Sequence, residues 1–229
     1  MNDAEVLVRC DDVGHTFGSG PAAIVAVHGA TCVVRDKDRI ALVGPSGSGK
    51  STLLHLMAGL EEPTSGRLSW PALSSDYYDR AASIGVVFQS PSLIPDLDVF
   101  ENVELPLLIA PSPGDRSSER TAVLIKDALA NVGVEDLITR LPEELSGGQA
   151  QRVAVARVLA QAPRLILADE PTGQLDSRTA HHVIDVLLSA ARRLDAALVV
   201  ATHDPTVAGR LDTTWSMHEG RLAPRGDTR

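Results

Sequence analysis

The sequence predicts an α/β fold built on a mostly parallel sheet. Short unbroken apolar runs, which are typical of strands buried on both faces, recur at residues 39–43, 84–88, 165–168 and 197–201. Between them lie segments whose apolar residues repeat at helical spacing, most clearly at 177–193. Strands that alternate with helices favour parallel pairing through helical crossovers.

The remaining elements are placed by turn and cap residues. The opening 35 residues are expected to form a small antiparallel sheet. After the first core strand, residues 52–58 form an apolar helical run that stops at Gly59, a residue suited to helix ends. Towards the C-terminus, Asp176 or Ser177 can cap the long helix that follows them.

The interval from about 90 to 160 departs from this alternation. It is mostly helical, with helices expected at 118–132 and 150–161, and it contains a turn-rich stretch at 110–118. We interpret it as a helical insertion between two halves of the α/β core.

Size and composition agree with one domain of this kind. The chain has 229 residues, 44% of them hydrophobic, which is enough for a sizeable core. Its 21 Lys and Arg against 30 Asp and Glu leave a formal charge of −9, which argues against a nucleic-acid binder. Cys10 and Cys32 do not make a disulfide framework, so a reducing compartment is the default. The sequence also lacks a signal-peptide pattern at its start and an apolar run of the ~18 residues that span a bilayer.

Residues 44–51, Gly-Pro-Ser-Gly-Ser-Gly-Lys-Ser, fit the phosphate-binding loop pattern G-x-x-x-x-G-K-S. The pattern stands between a predicted strand and a predicted helix, which is the context it requires. Glycines let backbone N–H groups close around phosphate oxygens, and the helix N-terminus adds its positive dipole end. We expect Lys50 to reach the β- and γ-phosphates and Ser51 to ligate Mg²⁺. The expected nucleotide contacts here are Gly44, Pro45, Ser46, Gly47, Ser48, Gly49, Lys50, Ser51 and Thr52.

Two carboxylates, Asp169 and Glu170, end the apolar run that starts at Leu165. Parallel strands place ligands at their C-terminal ends, so both side chains are expected near the phosphate loop. Asp169 can then hold Mg²⁺, and Glu170 can act as the general base that polarises the attacking water.

Residues 145–149, Leu-Ser-Gly-Gly-Gln, match the signature of ABC-type ATPases, and the resemblance covers about residues 6–222. It implies a P-loop NTPase (RecA-like) core with a small N-terminal antiparallel β-subdomain and an inserted α-helical subdomain. The whole chain, 1–229, would be one ABC ATPase domain that hydrolyses ATP. Its nucleotide-binding α/β core would comprise 1–88 and 163–229, and its helical subdomain 89–162.

The resemblance assigns further residues in family order. Gln89 looks like the Q-loop glutamine, with a catalytic and a metal-ligating role, and His203 like the switch histidine that orients the water. Asp176 ends the D-loop, and Phe17 occupies the place of the aromatic that stacks on adenine.

The signature also has a physical interpretation. Ser146, Gly147 and Gly148 precede the helical run at 150–161, so a hydroxyl and bare backbone at a helix N-terminus offer a second anion site. Gln149, the last residue of the signature, is counted with them among the expected nucleotide contacts. The resemblance implies that this site closes over the γ-phosphate held by another copy, in a head-to-tail homodimer with two ATP molecules at its interface.

Three residues depart from the family pattern: Asp38 before the first core strand, Ala150 after the signature, and Gln174 in the D-loop. None of them removes a phosphate, metal or water contact, so an active enzyme is expected.

Residues 92–107 are similar to a pattern of the bacterial branch that serves lipoprotein release, macrolide efflux and cell division. That resemblance implies the ATPase subunit of a transporter or mechanotransmission complex, held on the inner face of the cell membrane by a separate permease. A soluble ABC ATPase of an assembly scaffold, of the iron–sulfur cluster type, remains the alternative.

Overall fold

The computed structural model describes residues 6–109, 118–173 and 175–224. The strands are β1 (Val6–Phe17), β2 (Ile24–Arg35), β3 (Arg39–Val43), β4 (Ser65–Ser69), β5 (Ile84–Val87), β6 (Leu165–Asp169), β7 (Ala197–Thr202), β8 (Thr213–His218) and β9 (Arg221–Pro224). The helices are α1 (Lys50–Ala58), α2 (Tyr77–Ser83), α3 (Val99–Ile109), α4 (Ser118–Asn131), α5 (Gly147–Ala160), α6 (Ser177–Arg193) and α7 (Pro205–Ala208).

The main sheet has the strand order β5-β6-β7-β3-β8-β9 and is parallel except for the edge strand β9. Its central strands β6 and β7 are buried at every position, as the unbroken apolar runs predicted. The predicted fold class is confirmed. Because the strands are parallel, their C-terminal ends share one edge, where β3 leads into the phosphate loop and β6 ends at Asp169.

The N-terminal part forms a separate antiparallel sheet of order β2-β1-β4, in agreement with the expectation for the first 35 residues. Its two long strands extend far enough for β2 to reach the edge of the main sheet, where the amide of His28 donates to the carbonyl oxygen of Gly220 at 2.8 Å. The end of β1 and the start of β2 thereby lie beside the phosphate loop.

The helices α3, α4 and α5 occupy the interval between β5 and β6 and share one buried apolar cluster. Helix α5 begins at Gly147, earlier than the expected residue 150, because Ser146 caps it. Helix α6 has the expected bounds, and of the two candidate caps Asp176 is the N-cap, since its carboxylate accepts from the amides of Arg178 and Thr179.

Two sequence features fall outside the described residues: most of the turn-rich stretch, at 110–117, and Gln174. Within the ranges that are described, no helix combines the length and the apolar character needed to cross a membrane.

Candidate nucleotide site

The phosphate loop joins β3 to α1 through backbone conformations that need glycine. Gly49 is the N-cap of α1 with φ 98°, in the left-handed region. A Cβ on Gly49 would also collide with the carbonyl oxygen of Ala26. The loop is therefore packed against β2 and presents the N-terminus of α1, with its free amides, towards the pocket.

Lys50 is a buried cation at the start of α1, only 5% exposed. Its Nζ donates to the carbonyl oxygens of Gly44 at 2.9 Å and Pro45 at 3.0 Å, and it lies 3.6 Å from Oε1 of Glu170. The loop carbonyls thus hold the ammonium in the concave side of the loop, where it can meet a phosphate oxygen.

Glu170 turns into the pocket although it follows directly on a buried strand. Its φ is 46°, a left-handed conformation that is uncommon for a residue with a side chain and that often marks functional sites. Its amide donates to the carbonyl oxygen of Ala201 at 3.0 Å, which ties the end of β6 to β7. Its Oε2 accepts a hydrogen bond from Nδ1 of His203 at 2.6 Å. The structure therefore brings together Lys50, Glu170 and His203, for which the sequence predicts the roles of phosphate ligand, general base and switch histidine.

These side chains surround an open cavity of about 400 Å³. Its walls come from the phosphate loop, the start of α1, the end of β1, the start of β2, and the segments after β5, β6 and β7. The lining residues are Phe17, Ile24, Val25, Ala26, Ser46, Gly47, Gly49, Lys50, Ser51, Thr52, Gln89, Glu170 and His203. Sequence reasoning missed Ile24, Val25 and Ala26, because only the pairing of β2 with β1, which sets Ile24 opposite Phe17 and Val25 opposite Thr16, brings the start of β2 to this wall.

Phe17 forms one end of this cavity and is 45% exposed. Its ring meets the ring of His15 edge to face, with centroids 4.5 Å apart. Nδ1 of His15 donates to the carbonyl oxygen of Glu62 at 2.9 Å, so the supporting ring is itself fixed. An exposed aromatic face held this firmly is suited to stacking on a base.

The donor set for a magnesium ion can be tested on Asp169. This side chain is only 6% exposed, and its Oδ1 is buried without a hydrogen-bond partner, an arrangement that costs free energy unless a ligand satisfies the oxygen. The residues described contain no group of three or more His, Cys, Asp or Glu side chains suited to a metal. Mg²⁺ needs few protein ligands when phosphates and water complete its shell, so Asp169 with the hydroxyl of Ser51 and the amide oxygen of Gln89 fits this ion.

The signature residues lie outside the cavity, at the N-terminus of α5. Ser146 is the N-cap, and its Oγ accepts from the amide of Gln149 at 3.3 Å while Oε1 of Gln149 accepts from the amide of Ser146 at 2.8 Å. A Cβ on Gly147 would meet nothing within 4 Å, so the helix end faces open space. Such an end can bind an anion from outside the chain.

Asp176 likewise does not line the cavity. It is an exposed cap of α6, and the hydroxyl and amide of Thr179 lower the pKa of its carboxyl. Asp204, next to His203, has the same role at α7, where the amide of Thr206 lowers its pKa. Both carboxylates stay charged at neutral pH and fix the loops that precede their helices.

Comparisons with known proteins agree with this geometry. The family described as "ABC transporter" matches residues 27–173. The lipoprotein-releasing system ATP-binding protein LolD of Legionella pneumophila (strain Lens) is 38% identical over 98% of this chain and 100% of its own length. An uncharacterized ABC transporter ATP-binding protein of Mycobacterium tuberculosis (strain H37Rv) is 40% identical over 95% of this chain and 89% of its own length. Among solved structures, the dimeric ATP-binding cassette MJ0796 in a post-hydrolysis state with ADP and Pi superposes with a TM-score of 0.89. It is 33% identical to this chain, and the match covers 97% of this chain and 99% of that one.

Proposed function

Since the chain belongs to the ABC transporter family and is an ATP-binding, ATP-hydrolysing subunit of that family, we propose that it drives a separate membrane permease through an ATP-dependent head-to-tail dimer. One observation carries the proposal. The cavity combines the phosphate loop, the general-base candidate and the switch histidine, whereas the signature of the same chain does not line it and borders open space at Gly147. One chain therefore has two half-sites, and two chains complete both.

Each residue of the cavity has a role that its position supports. Phe17 stacks on the adenine, and the phosphate-loop amides with Lys50 bind the β- and γ-phosphates. Glu170 accepts a proton from the attacking water, and His203, bonded to the same carboxylate, orients that water and the γ-phosphate. Nζ of Lys50 lies 3.6 Å from Oε1 of Glu170, so the phosphate ligand and the general base adjoin in the cavity.

Ser51, Gln89 and Asp169 would hold Mg²⁺, and the unsatisfied Oδ1 of Asp169 supports this set. The ion, when bound, supplies positive charge at the β- and γ-phosphates. Gln89 lies two residues after the end of β5 and lines the cavity, so its side chain can respond to whether a γ-phosphate is bound.

The proposed dimer places the signature of each chain, Ser146 to Gln149, on the γ-phosphate bound by the other. The helix dipole and the free amides at the start of α5 would stabilise the negative charge of that γ-phosphate. Hydrolysis of ATP removes the γ-phosphate and with it the attraction that holds the two chains together. Asp176, at the start of α6, would lie at the same interface. The dimeric cassettes among the structural relatives support this arrangement.

The lipoprotein-releasing relatives support a place in the bacterial branch that also includes macrolide-efflux and cell-division ATPases. The protein would then sit on the inner face of the cell membrane, held by its permease, and the permease would choose the substrate. The assembly-scaffold alternative is not favoured by the relatives. Purification from membranes together with a multi-spanning protein tests this part of the proposal, and a complex with a soluble scaffold in its place would contradict it.

The dimer is tested with Glu170→Gln, which keeps the shape of the site and removes the base. We expect hydrolysis to fall by about 10²- to 10⁴-fold while ATP binding persists. Size-exclusion chromatography with ATP and Mg²⁺ should then show a dimer, and the same chain with ADP a monomer. Glu135→Gln, an exposed change far from the cavity, is the matched control and should hydrolyse ATP like the parent chain. Near-normal turnover by Glu170→Gln would contradict the role of this residue.

A further inference from the structure

The main chain beside Gln89 is bound by the same helix that carries Ser146 at its N-terminus. Gln151, on α5 and only 3% exposed, donates its Nε2 amide to the carbonyl oxygen of Phe88 at 3.1 Å. Because Phe88 immediately precedes Gln89, this bond connects α5 to the point where the chain leaves β5 for the nucleotide cavity.

Arg157, further along α5, binds the other side of Gln89. Its guanidinium donates to the carbonyl oxygen of Ser92 at 2.9 Å and to that of Pro91 at 3.1 Å. Ser92 has φ 50°, a left-handed conformation that a residue with a side chain adopts only when its surroundings hold it there. Arg157 contributes to that hold, since its planar fork meets two consecutive carbonyls at once, and the hydroxyl of Ser92 adds a bond to the carbonyl oxygen of Ser90 at 3.1 Å.

The chain beyond Ser92 is held by the neighbouring helix α3. Asn102 is fully buried, accepts from the amide of Ile94 at 2.8 Å and donates to the carbonyl oxygen of Leu97 at 2.8 Å. Helices α3 and α5 share one buried cluster, so they form a common base for the whole segment 88–98.

We infer that Gln151 and Arg157 are positioning residues that make α5 and residues 88–92 move as one body, so that Gln89 and Ser146 change position together. We call Gln151, Arg157 and the three carbonyls they bind the clasp. The inference rests on the proposed function, because it requires Ser146 to close on the ATP of the partner protomer.

The clasp has a consequence for the dimer as a whole. Gln89 faces the ATP of its own chain, whereas Ser146 of the same chain faces the second ATP. A body that contains both residues connects the two nucleotide sites, so the filling of one site changes the affinity or turnover of the other. ATP hydrolysis should therefore be cooperative, and the cooperativity should depend on the clasp.

Arg157→Lys tests this with little change in charge, because a single ammonium cannot reproduce the two-carbonyl fork. We expect kcat to fall about tenfold and the Hill coefficient for ATP to approach about 1, with an unchanged affinity of the monomer for ATP. In the Glu170→Gln background, the dissociation constant of the ATP-bound dimer should rise about tenfold. Arg193→Lys is the matched control, since Arg193 is exposed, binds the side chain of Asn131 on the surface and lies outside the clasp, so the change should leave these values unchanged.

The outcomes separate the inference from the function on which it rests. If Glu170→Gln with an intact clasp stays monomeric in ATP, the proposed function fails and the inference with it. If that dimer forms and Arg157→Lys leaves its dissociation constant and the Hill coefficient unchanged, the inference alone is overturned. Gln151→Leu removes the hydrogen bond to the carbonyl oxygen of Phe88 and is the second variant if Arg157→Lys does not fold. The expected changes in kcat, Hill coefficient and dimer dissociation constant are the same. Circular dichroism measures the folded fraction of each variant.

Discussion

At the scale of single residues, Lys50 shows how a buried charge is kept ready for a ligand. Burial of an ammonium costs free energy, and two loop carbonyls with the nearby Glu170 carboxylate offset it. The same partners keep the side chain inside the loop, so it need not reorganise when a phosphate arrives. Gly49 is also required by the shape of the loop. The loop packs so closely against β2 that a Cβ on Gly49 would collide with the carbonyl oxygen of Ala26.

Lys50→Ala is expected to retain the fold and to lose most of its affinity for ATP. The change removes a charge-assisted hydrogen bond to phosphate worth about 2–3 kcal/mol, which corresponds to a loss of about 30- to 150-fold in affinity. Isothermal titration with ATP measures this, and circular dichroism checks the fold.

Lys37→Ala is the control for that change. Lys37 is 62% exposed, and its ion pair with Asp195 lies on the surface, so the variant should bind ATP like the parent chain. Equal ATP affinity in Lys50→Ala and Lys37→Ala would rule out the phosphate role of Lys50.

At the scale of elements, the segment between β5 and α3 depends on one amide. Asn102 satisfies both the amide and the carbonyl of Ile94, and it also binds the carbonyl oxygens of Leu97 and Asp98 at 2.8 and 3.0 Å. A non-helical segment that contains a proline cannot satisfy these groups by itself. The side chain thus replaces the hydrogen bonds that regular secondary structure would supply.

Asn102→Leu should destabilise the protein by about 2–3 kcal/mol, because it leaves partly buried backbone groups unsatisfied while keeping the number and branching of the side-chain heavy atoms. Urea unfolding followed by circular dichroism measures the change. Asn131→Leu, at the exposed end of α4, makes a comparable substitution and should alter stability by less than about 0.5 kcal/mol. Equal effects of the two changes would show that the bonds of Asn102 contribute nothing to stability.

Elements governed by local pattern could be predicted from the sequence, and those governed by pairing could not. Strand β3 and helix α6 have the expected bounds because an unbroken apolar run and a capped helical repeat each identify their own element. Strand β8, by contrast, alternates partly buried and buried residues, and it was missed because its pairing with β3 places it in the sheet. Of the site, the motif residues could be predicted. The pocket wall on β2 and the bond from Gln151 to Phe88 could not, since contacts between distant parts of the chain leave no local pattern.

At the scale of the whole molecule, the proposed dimer divides each ATP site between two chains, and this division would determine how the stability of the protein responds to nucleotide. The formal charge of −9 makes two copies repel each other, so their association needs specific attraction at the nucleotides. ADP lacks the γ-phosphate and engages only the cavity of its own chain. In the proposed dimer ATP also engages the signature of a second chain, so its effect on stability should depend on the concentration of protein.

The thermal midpoint of Glu170→Gln is therefore expected to rise with ADP to a value independent of protein concentration, and with ATP to a value that increases as the protein is concentrated. Binding of a ligand at a concentration 100 times its dissociation constant stabilises a chain by about 2.7 kcal/mol, and dimerisation adds a further mass-action contribution only with ATP.

Gly147→Asp in the Glu170→Gln background is the control. A side chain fits there because a Cβ meets nothing within 4 Å, and its carboxylate repels the γ-phosphate of the partner. The Gly147→Asp variant should keep the rise in thermal midpoint that each nucleotide causes, and its midpoint with ATP should no longer depend on protein concentration. Differential scanning calorimetry at several protein concentrations measures both, and a midpoint with ATP that does not change with concentration would contradict the shared site.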